Sequence, residues 1–318
     1  MSDARATQDL VELGAGREFD AIRQMVARWG DRTRGIGDDA TVVDLPRGDA
    51  LVASVDSAIE DVHFRRGWLT AREIGYRAAA AALSDLAAMG AAPVGMLLAI
   101  AVPDAWRPDL MGIADGVGDV AGRWKVPILG GNTTRGGELS ITTTVLGSVY
   151  GPLRRSGVKP GDRLYVTGRL GASGAALRAL LDNAEPDRRH REKFARPQPR
   201  IEEARWLAAM GATAAIDVSD GLVADLGHLA AASSVRIEMD LDHIPVAEGV
   251  APKDAAASGE EYELVVSAPE PLDLEAFVAA FRLPLTPIAD AVAGDPGVEV
   301  RRKGRRVANP SGHDHFST

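Results

Sequence analysis

The sequence predicts a mixed α+β protein of two domains, and three observations carry that expectation. Helix-period segments alternate with short β-like runs, some strands follow each other with no helix between them, and a chain of 318 residues suits two domains of about 100–200 residues. The turn-rich, basic stretch GPLRRSGVKPGD at Gly151–Asp162 places the boundary, giving domains 1–150 and 151–318.

Apolar spacing predicts helices over Glu18–Trp29, Thr70–Met89, Pro108–Trp124, Ser173–Leu181, Pro199–Met210, Leu222–Ala232 and Leu274–Phe281. Strands are expected at Ala40–Asp44, Ala50–Val55, Gly95–Val102, Leu139–Val149, Arg163–Thr167, Arg236–Met239, Tyr262–Ser267, Leu285–Ile288 and Glu299–Arg302. Leu86–Pro103 runs 18 residues without a charge, but Gly90, Pro93 and Gly95 interrupt it. It reads as a helix end, a turn and a buried strand rather than a membrane span. The charged, proline-bearing stretch Asp182–Arg200 reads as an exposed loop, and no 20–50-residue repeat is visible.

Composition narrows the chemistry. Hydrophobic residues are 46% and charged residues 25%, as in an ordinary globular protein. With 36 Lys+Arg against 45 Asp+Glu the net charge is -9, the wrong sign for a broad nucleic-acid-binding face. There is no cysteine, so disulfides, thiolate nucleophiles and Cys-ligated metals are excluded, and any metal must sit on oxygen or imidazole. The first residues, MSDARATQDLVELGAG, carry no basic-then-apolar leader, so a cytoplasmic location is expected.

Carboxylates recur in loop contexts beside Gly or Ser: Asp38 and Asp39, Ser54 and Asp56, Ser84 and Asp85, then Asp217, Ser219 and Asp220. A hard cation such as Mg²⁺ needs this kind of all-oxygen donor set, gathered from separate loops. The plain alternative is that they are turn and cap residues, with Asp220 as the N-cap of the helix that follows. ILGGNTTRGG at Ile128–Gly137 reads as a buried strand end running into a glycine-rich loop. There backbone amides with Thr133, Thr134 and Arg135 could cradle phosphate, or simply make a β-turn. A second glycine run, Gly168–Gly174, lacks the G-x-G start of a dinucleotide loop, and no P-loop signature occurs. His63 could donate to a substrate phosphate, act as an acid, or be structural. Ser258–Leu264 puts three acids around Tyr262, otherwise a solvated turn, and the tract at Gly312–Phe316 is assigned no metal.

In order, G-I-G-D-D-A (35–40), S-V-D-S (54–57), V-H-F (62–64), L-S-D-L-A-A-M-G-A (83–91), G-G-N-T-T-R-G (130–136), R-S-G-V-K-P-G-D (155–162), I-D-V-S-D-G-L (216–222), S-G-E-E-Y-E-L (258–264) and D-H-F (314–316) resemble the thiamine-monophosphate kinase family. That family lies within the aminoimidazole ribonucleotide synthetase superfamily. The resemblance implies an N-terminal α/β domain whose strands pair across a homodimer, a C-terminal α/β domain, and an ATP site formed by both. It implies transfer of the γ-phosphate of ATP to thiamine phosphate, with several Mg²⁺ ions, no nucleophilic side chain, and neither nucleic acid nor membrane as partner. Carried over by position, Asp39, Ser54, Asp56, Asp85, Asn132, Asp217 and Asp220 match metal ligands, with Asp38 beside Asp39. Ser54, Gly131, Asn132, Arg155 and Ser219 match ATP contacts, and His63, Glu260 and Pro310 substrate contacts. Three positions depart from the pattern: Asn132 stands where Asp is usual, Val55 where Thr is, and Pro310 where an aromatic residue would stack on the substrate. The competing readings are another ATP-dependent enzyme of the superfamily and a nucleotide-binding homologue without catalysis. A selenophosphate synthetase would need a reactive Cys or selenocysteine, which this chain lacks.

Overall fold

In the computed structural model, which describes residues 17–33 and 43–312, the chain divides into two units. The described residues up to Leu86, with Pro93–Tyr150, make the first; Ala87–Ala92, with those from Gly151 on, make the second.

The first unit contains α1 (Arg17–Trp29), β1 (Ala50–Ile59), α2 (Ala71–Ala88), β2 (Ala92–Val102), α3 (Leu110–Trp124), β3 (Ile128–Arg135) and β4 (Ser140–Val149). A capping box starts α2: the Thr70 amide donates to Glu73 Oε2 at 2.9 Å, and the Glu73 amide donates back to Thr70 Oγ1 at 3.2 Å. The alanines that follow, Ala78–Ala82, are buried, so this helix lies inside the unit rather than on its surface. Small residues let α2 and α3 touch backbone to backbone. A Cβ on Gly116 would stand 1.9 Å from the Arg72 carbonyl oxygen, and one on Gly75 2.0 Å from that of Ile113. The sheet runs β1-β4-β2-β3, with β1 and β4 antiparallel from Ala50↔Val149 to Ile59↔Ser140 and β2 parallel to β3. Alternation turns Ser54 and Asp56 to the same face as the buried Val145 and Thr143, the face against α2, while Leu51 and Val55 on the opposite face stay 53% and 62% exposed.

The second unit is a seven-stranded sheet, β11-β10-β7-β9-β5-β8-β6, with β5 (Arg163–Thr167), β6 (Ala214–Asp217), β7 (Arg236–Asp240), β8 (Leu264–Ala268), β9 (Leu285–Val292), β10 (Gly297–Arg302) and β11 (Arg305–Arg306). Its helices are α4 (Ala172–Leu181), α5 (Arg188–Ala195), α6 (Ile201–Ala209), α7 (Leu222–Ser233), α8 (Pro252–Ala256) and α9 (Leu274–Phe281). The sheet strands and α7 share a core that includes Leu164, Val166, Ile216, Leu226, Leu229, Ile237 and Val265.

The two-sheet architecture is the mixed α+β fold expected. Leu86–Pro103 is a helix end, a turn and a strand, as read, with Gly90 at φ 66° making the turn. Three expectations fail. The supposed exposed loop Asp182–Arg200 holds α5, whose first amides, on Arg189 and His190, are capped by Asp187 at 2.8 and 3.2 Å. Only Phe194 and Ala195 of RRHREKFA are buried, so the helix carries no apolar stripe for a periodicity to reveal. Val43 and Asp44 are not in a strand, and Ala40–Thr41–Val42 lie outside the described residues. Finally, Gly130–Arg135 is strand β3 and not a loop.

Candidate active site

In the first unit, acids stand on regular elements. Ser54, on β1, donates its hydroxyl to Asp85 Oδ2 near the end of α2 at 2.5 Å. Asp56, two residues on and therefore on the same face, accepts the Ser57 amide at 2.7 Å. Across the ladder from Asp56 stands Thr143, fully buried, whose Oγ1 has no hydrogen-bond partner. A buried hydroxyl without a partner is costly, so this face is short of a polar group that would complete it. His63 sits in the turn after β1, where its Nδ1 accepts the Ile59 amide at 3.1 Å and Phe64, 1% exposed, anchors the turn. Asp38 and Asp39 lie outside the described residues.

The reading of Ile128–Gly137 as a strand end running into a loop is corrected by β3, which continues to Arg135. Gly131 faces Leu98 in the parallel ladder so closely that a Cβ would come within 2.0 Å of the Leu98 carbonyl oxygen; here glycine serves strand pairing. Asn132 is exposed and pairs in register with Ala99. Arg135 is bound to Asp104 at 2.7 Å, and with Thr133 and Thr134 it lines a cavity of about 580 Å³ beside α1 and α3.

In the second unit, acids stand on turns. The ends of β5 and β6 and the start of β8 lie at one end of the sheet, because β8 runs antiparallel to both: Asp217 faces Leu264, and Val166 faces Val265. Asp217 is buried, 4% exposed, and Asp220 half-buried. Asp220 does not cap α7. Gly221 is the N-cap, and Asp225, in the first turn of that helix, braces the preceding turn by accepting the amides of Ser219 at 3.2 Å and Gly221 at 3.1 Å. Burial first, then the charges of Asp217 and Asp220, push the Asp225 carboxyl up to about 8. His228 Nε2 lies 4.0 Å from Asp220 Oδ2, and Asp220, Asp225 and His228 bring ligand atoms within 4.8 Å of one another. Asp225 and His228 were not among the residues expected; their i, i+3 spacing just after Asp220 was the available signal.

Nor is Ser258–Leu264 a solvated turn. Glu260 donates its amide to the Ser219 carbonyl at 2.7 Å and Tyr262 its amide to Val218 at 2.9 Å, so this turn rides on the Asp217–Asp220 turn. Glu260 and Tyr262 adopt φ of 56° and 50°, the left-handed region that side chains disfavour. Glu261 is buried, and its Oε1 accepts the amides of Gly171 at 2.8 Å and Ser173 at 3.0 Å and the hydroxyl of Ser258 at 2.6 Å. The glycine run before α4 thus holds the protein's own carboxylate at its helix N-terminus. Burial pushes that carboxyl above the usual Glu range. Pro310 is buried, and two residues later Gly312 lies so close to the acid turn that a Cβ would be 2.6 Å from the Asp220 carbonyl oxygen. Asp314, His315 and Phe316 lie outside the described residues.

Arg155 is not brought to Ser219. Its carbonyl accepts Ser233 Oγ at 2.7 Å, at the far end of the 12-residue α7. At 1.5 Å per residue, that is about 18 Å of helix away from the acid turn.

Both acid groups suit a hard divalent cation. Their donors are carboxylate and hydroxyl oxygens, with the unpartnered Thr143 hydroxyl beside the first set and mutually repelling carboxylates in the second.

Residues 37–149 match the model of the AIR synthase related protein N-terminal domain, and 159–300 that of the C-terminal domain. The chain is 36% identical over 322 residues to a thiamine-monophosphate kinase of Salmonella typhimurium, covering 92% of this chain and 98% of that protein. Among solved structures, a thiamine-monophosphate kinase from Stenotrophomonas maltophilia superposes with TM-score 0.80 at 34% identity, covering 92% of this chain and 98% of that one. AaThiL complexed with AMPPCP and TMP superposes with TM-score 0.75 at 28% identity, covering 94% and 97% of the two chains.

Proposed function

This chain belongs to the thiamine-monophosphate kinases, ATP-dependent phosphotransferases of the AIR-synthase-related family, and from that premise we propose that it passes the γ-phosphate of ATP directly to thiamine phosphate with Mg²⁺ bound by the two acid sets. The observation that carries the metal part is the convergence of Ser54, Asp56 and Asp85 from a strand and a helix onto one face beside the unpartnered Thr143 hydroxyl. Asp39, with Asp38 beside it, and the side-chain oxygen of Asn132 are proposed to add to that set, and Asp217 and Asp220 to form the second. When bound, Mg²⁺ would neutralise phosphate oxygens on two polyanions that otherwise repel. Ser54, Gly131, Asn132 and Ser219 are assigned to ATP, and His63, Glu260 and Pro310 to the acceptor, while Arg155, at the far end of α7 from Ser219, is left out of that set. His63 accepts a backbone proton at Nδ1, which favours the tautomer that presents Nε2–H as a donor to an anion. No side chain is needed as a nucleophile, since aligned substrates react without a covalent relay.

The uncovered face of the first sheet, with Leu51 and Val55 exposed, supports a homodimer in which a second copy covers it. Among the described residues no helix is long and apolar enough to cross a membrane. A cytoplasmic location is proposed.

The test is purified protein with ATP, MgCl₂ and thiamine phosphate. Thiamine diphosphate and ADP should form in equal amounts, and γ-labelled ATP without acceptor should leave no label on the protein. No thiamine diphosphate would overturn the kinase reading, and a protein-bound label that chases into product would overturn direct transfer. Light scattering should show twice the 33.5 kDa chain mass; a concentration-independent monomer would overturn the dimer.

A further inference from the structure

We propose that Lys193 and Arg200 are positioning residues: clamping the buried Glu263 carboxylate, they hold the Ser258–Tyr262 turn so that Glu260 is presented to the phosphorylated acceptor. This rests on Glu260 as an acceptor contact. Glu263 takes Arg200 Nε at 2.7 Å and Nη2 at 2.6 Å, Lys193 Nζ at 2.5 Å and Thr167 Oγ1 at 2.8 Å. All three charged side chains are largely or wholly buried, at 2%, 13% and 16% exposure for Glu263, Arg200 and Lys193. Space for the carboxylate is made by Gly168, where a Cβ would lie 2.4 Å from the Glu263 carboxyl carbon.

Burial alone would push the Glu263 carboxyl up, but Lys193 and Arg200 more than offset it and hold the group below the usual Glu range. For stability alone, a forked Arg would satisfy the carboxylate, and a buried ion cluster is no better than packed apolar side chains. Arg200 also reaches Glu203, and Lys193 also acts on Glu261, the other anchor of the same turn, so the second cation points to geometry. One residue before Glu263, Tyr262 stands at φ 50°, and Glu260 at φ 56°; such backbone persists only where its surroundings impose it. Two anchors hold this strained pair: Glu261, between them, is tied to the start of α4, and Glu263, just after them, to α5 and the residue before α6. The neighbouring Asp217–Asp220 turn, whose carbonyls accept the Glu260 and Tyr262 amides, keeps its own brace in Asp225, so loss of the clamp falls first on the acceptor side of the site.

The experiment uses the full chain with Lys193→Met, Lys193→Arg and Arg200→Lys. In Lys193→Met, amide hydrogen exchange at Gly259–Tyr262 should rise about tenfold while that of Val265–Ala268 holds. The KM for thiamine phosphate should rise about tenfold with the KM for ATP changed less than about twofold. Lys193→Arg should restore both readouts, and Arg200→Lys, which keeps the charge and loses the fork, should give a smaller change of the same selectivity. Unchanged exchange at Gly259–Tyr262, equal rises in both KM values, or no rescue by Lys193→Arg overturns the clamp. Should Lys193→Met fail to fold, Arg200→Lys decides by the same criteria. A wild-type chain that makes no thiamine diphosphate defeats the kinase reading, while the exchange pattern still decides whether the clamp exists.

Discussion

The two acid sets are built on opposite plans. Ser54, Asp56 and Asp85 stand on a strand and a helix, aimed by regular backbone with one hydroxyl–carboxylate contact between them. Asp217 and Asp220 stand at and after a strand end, and the turn that carries them is braced by Asp225 and by a neighbouring turn pinned through Glu261 and Glu263. Where secondary structure does the aiming, few extra polar groups are buried. Where a turn must be held still, further buried carboxylates do the holding, each needing its own donors.

Variants can break that contrast. The largest effect is expected from Asp85→Asn, which removes a charge from the first set and leaves its scaffold: thiamine diphosphate formation at saturating MgCl₂ should fall about 10³-fold with an unchanged melting temperature. Activity near wild type would take Asp85 out of the metal set. Next comes Glu263→Gln in the second unit, which leaves Lys193 and Arg200 buried against a neutral amide. Urea unfolding should show a loss of about 3–5 kcal/mol, and a loss within measurement error would mean the cluster relaxes freely. Gly116→Ala tests the first plan at its helix crossing, where the new methyl meets the Arg72 carbonyl; about 1–3 kcal/mol should be lost. A neutral result would show that α2 and α3 can slide apart. The smallest effect belongs to Glu261→Gln. The wild-type carboxyl is raised in the fold, so the fold is favoured while the group is protonated and loses stability as pH climbs from the ordinary Glu range to the raised value. The amide keeps the acceptor and loses the titration, so the two proteins should match in acid and the variant should be the more stable at neutral pH. Parallel stability curves would rule out a buried titrating Glu261.

The contrast also explains what could be read from sequence. Regular elements announced themselves through apolar periodicity, and Asp85 was placed near the end of its helix, whereas Asp56, expected in a loop after a strand ending at Val55, stands inside β1. Asp225 escaped because an Asp within an apolar helical run gives no sign that its side chain turns back onto the preceding amides. Lys193 and Arg200 escaped because α5 shows only charge, and because their partner lies 70 and 63 residues away. Glycine misled at 130–131: a glycine pair looks the same whether it opens a loop around phosphate or lets two strands approach.

The segment L-S-D-L-A-A-M-G-A, which did most to single out the family, is largely interior. Leu83, Ser84, Leu86, Ala87 and Ala91 are each at 0% exposure, and of the residues up to Ala87 only Asp85 is accessible enough to meet a ligand. Its letters describe a mould as much as a reaction. A descendant that had exchanged Asp85 for a neutral residue and given up chemistry would still have to fill the same mould, and would still carry the fingerprint. On the role proposed for Asp85, one letter in nine separates an enzyme from its cast, and a chain recognised by this segment needs that letter checked before an activity is assigned to it.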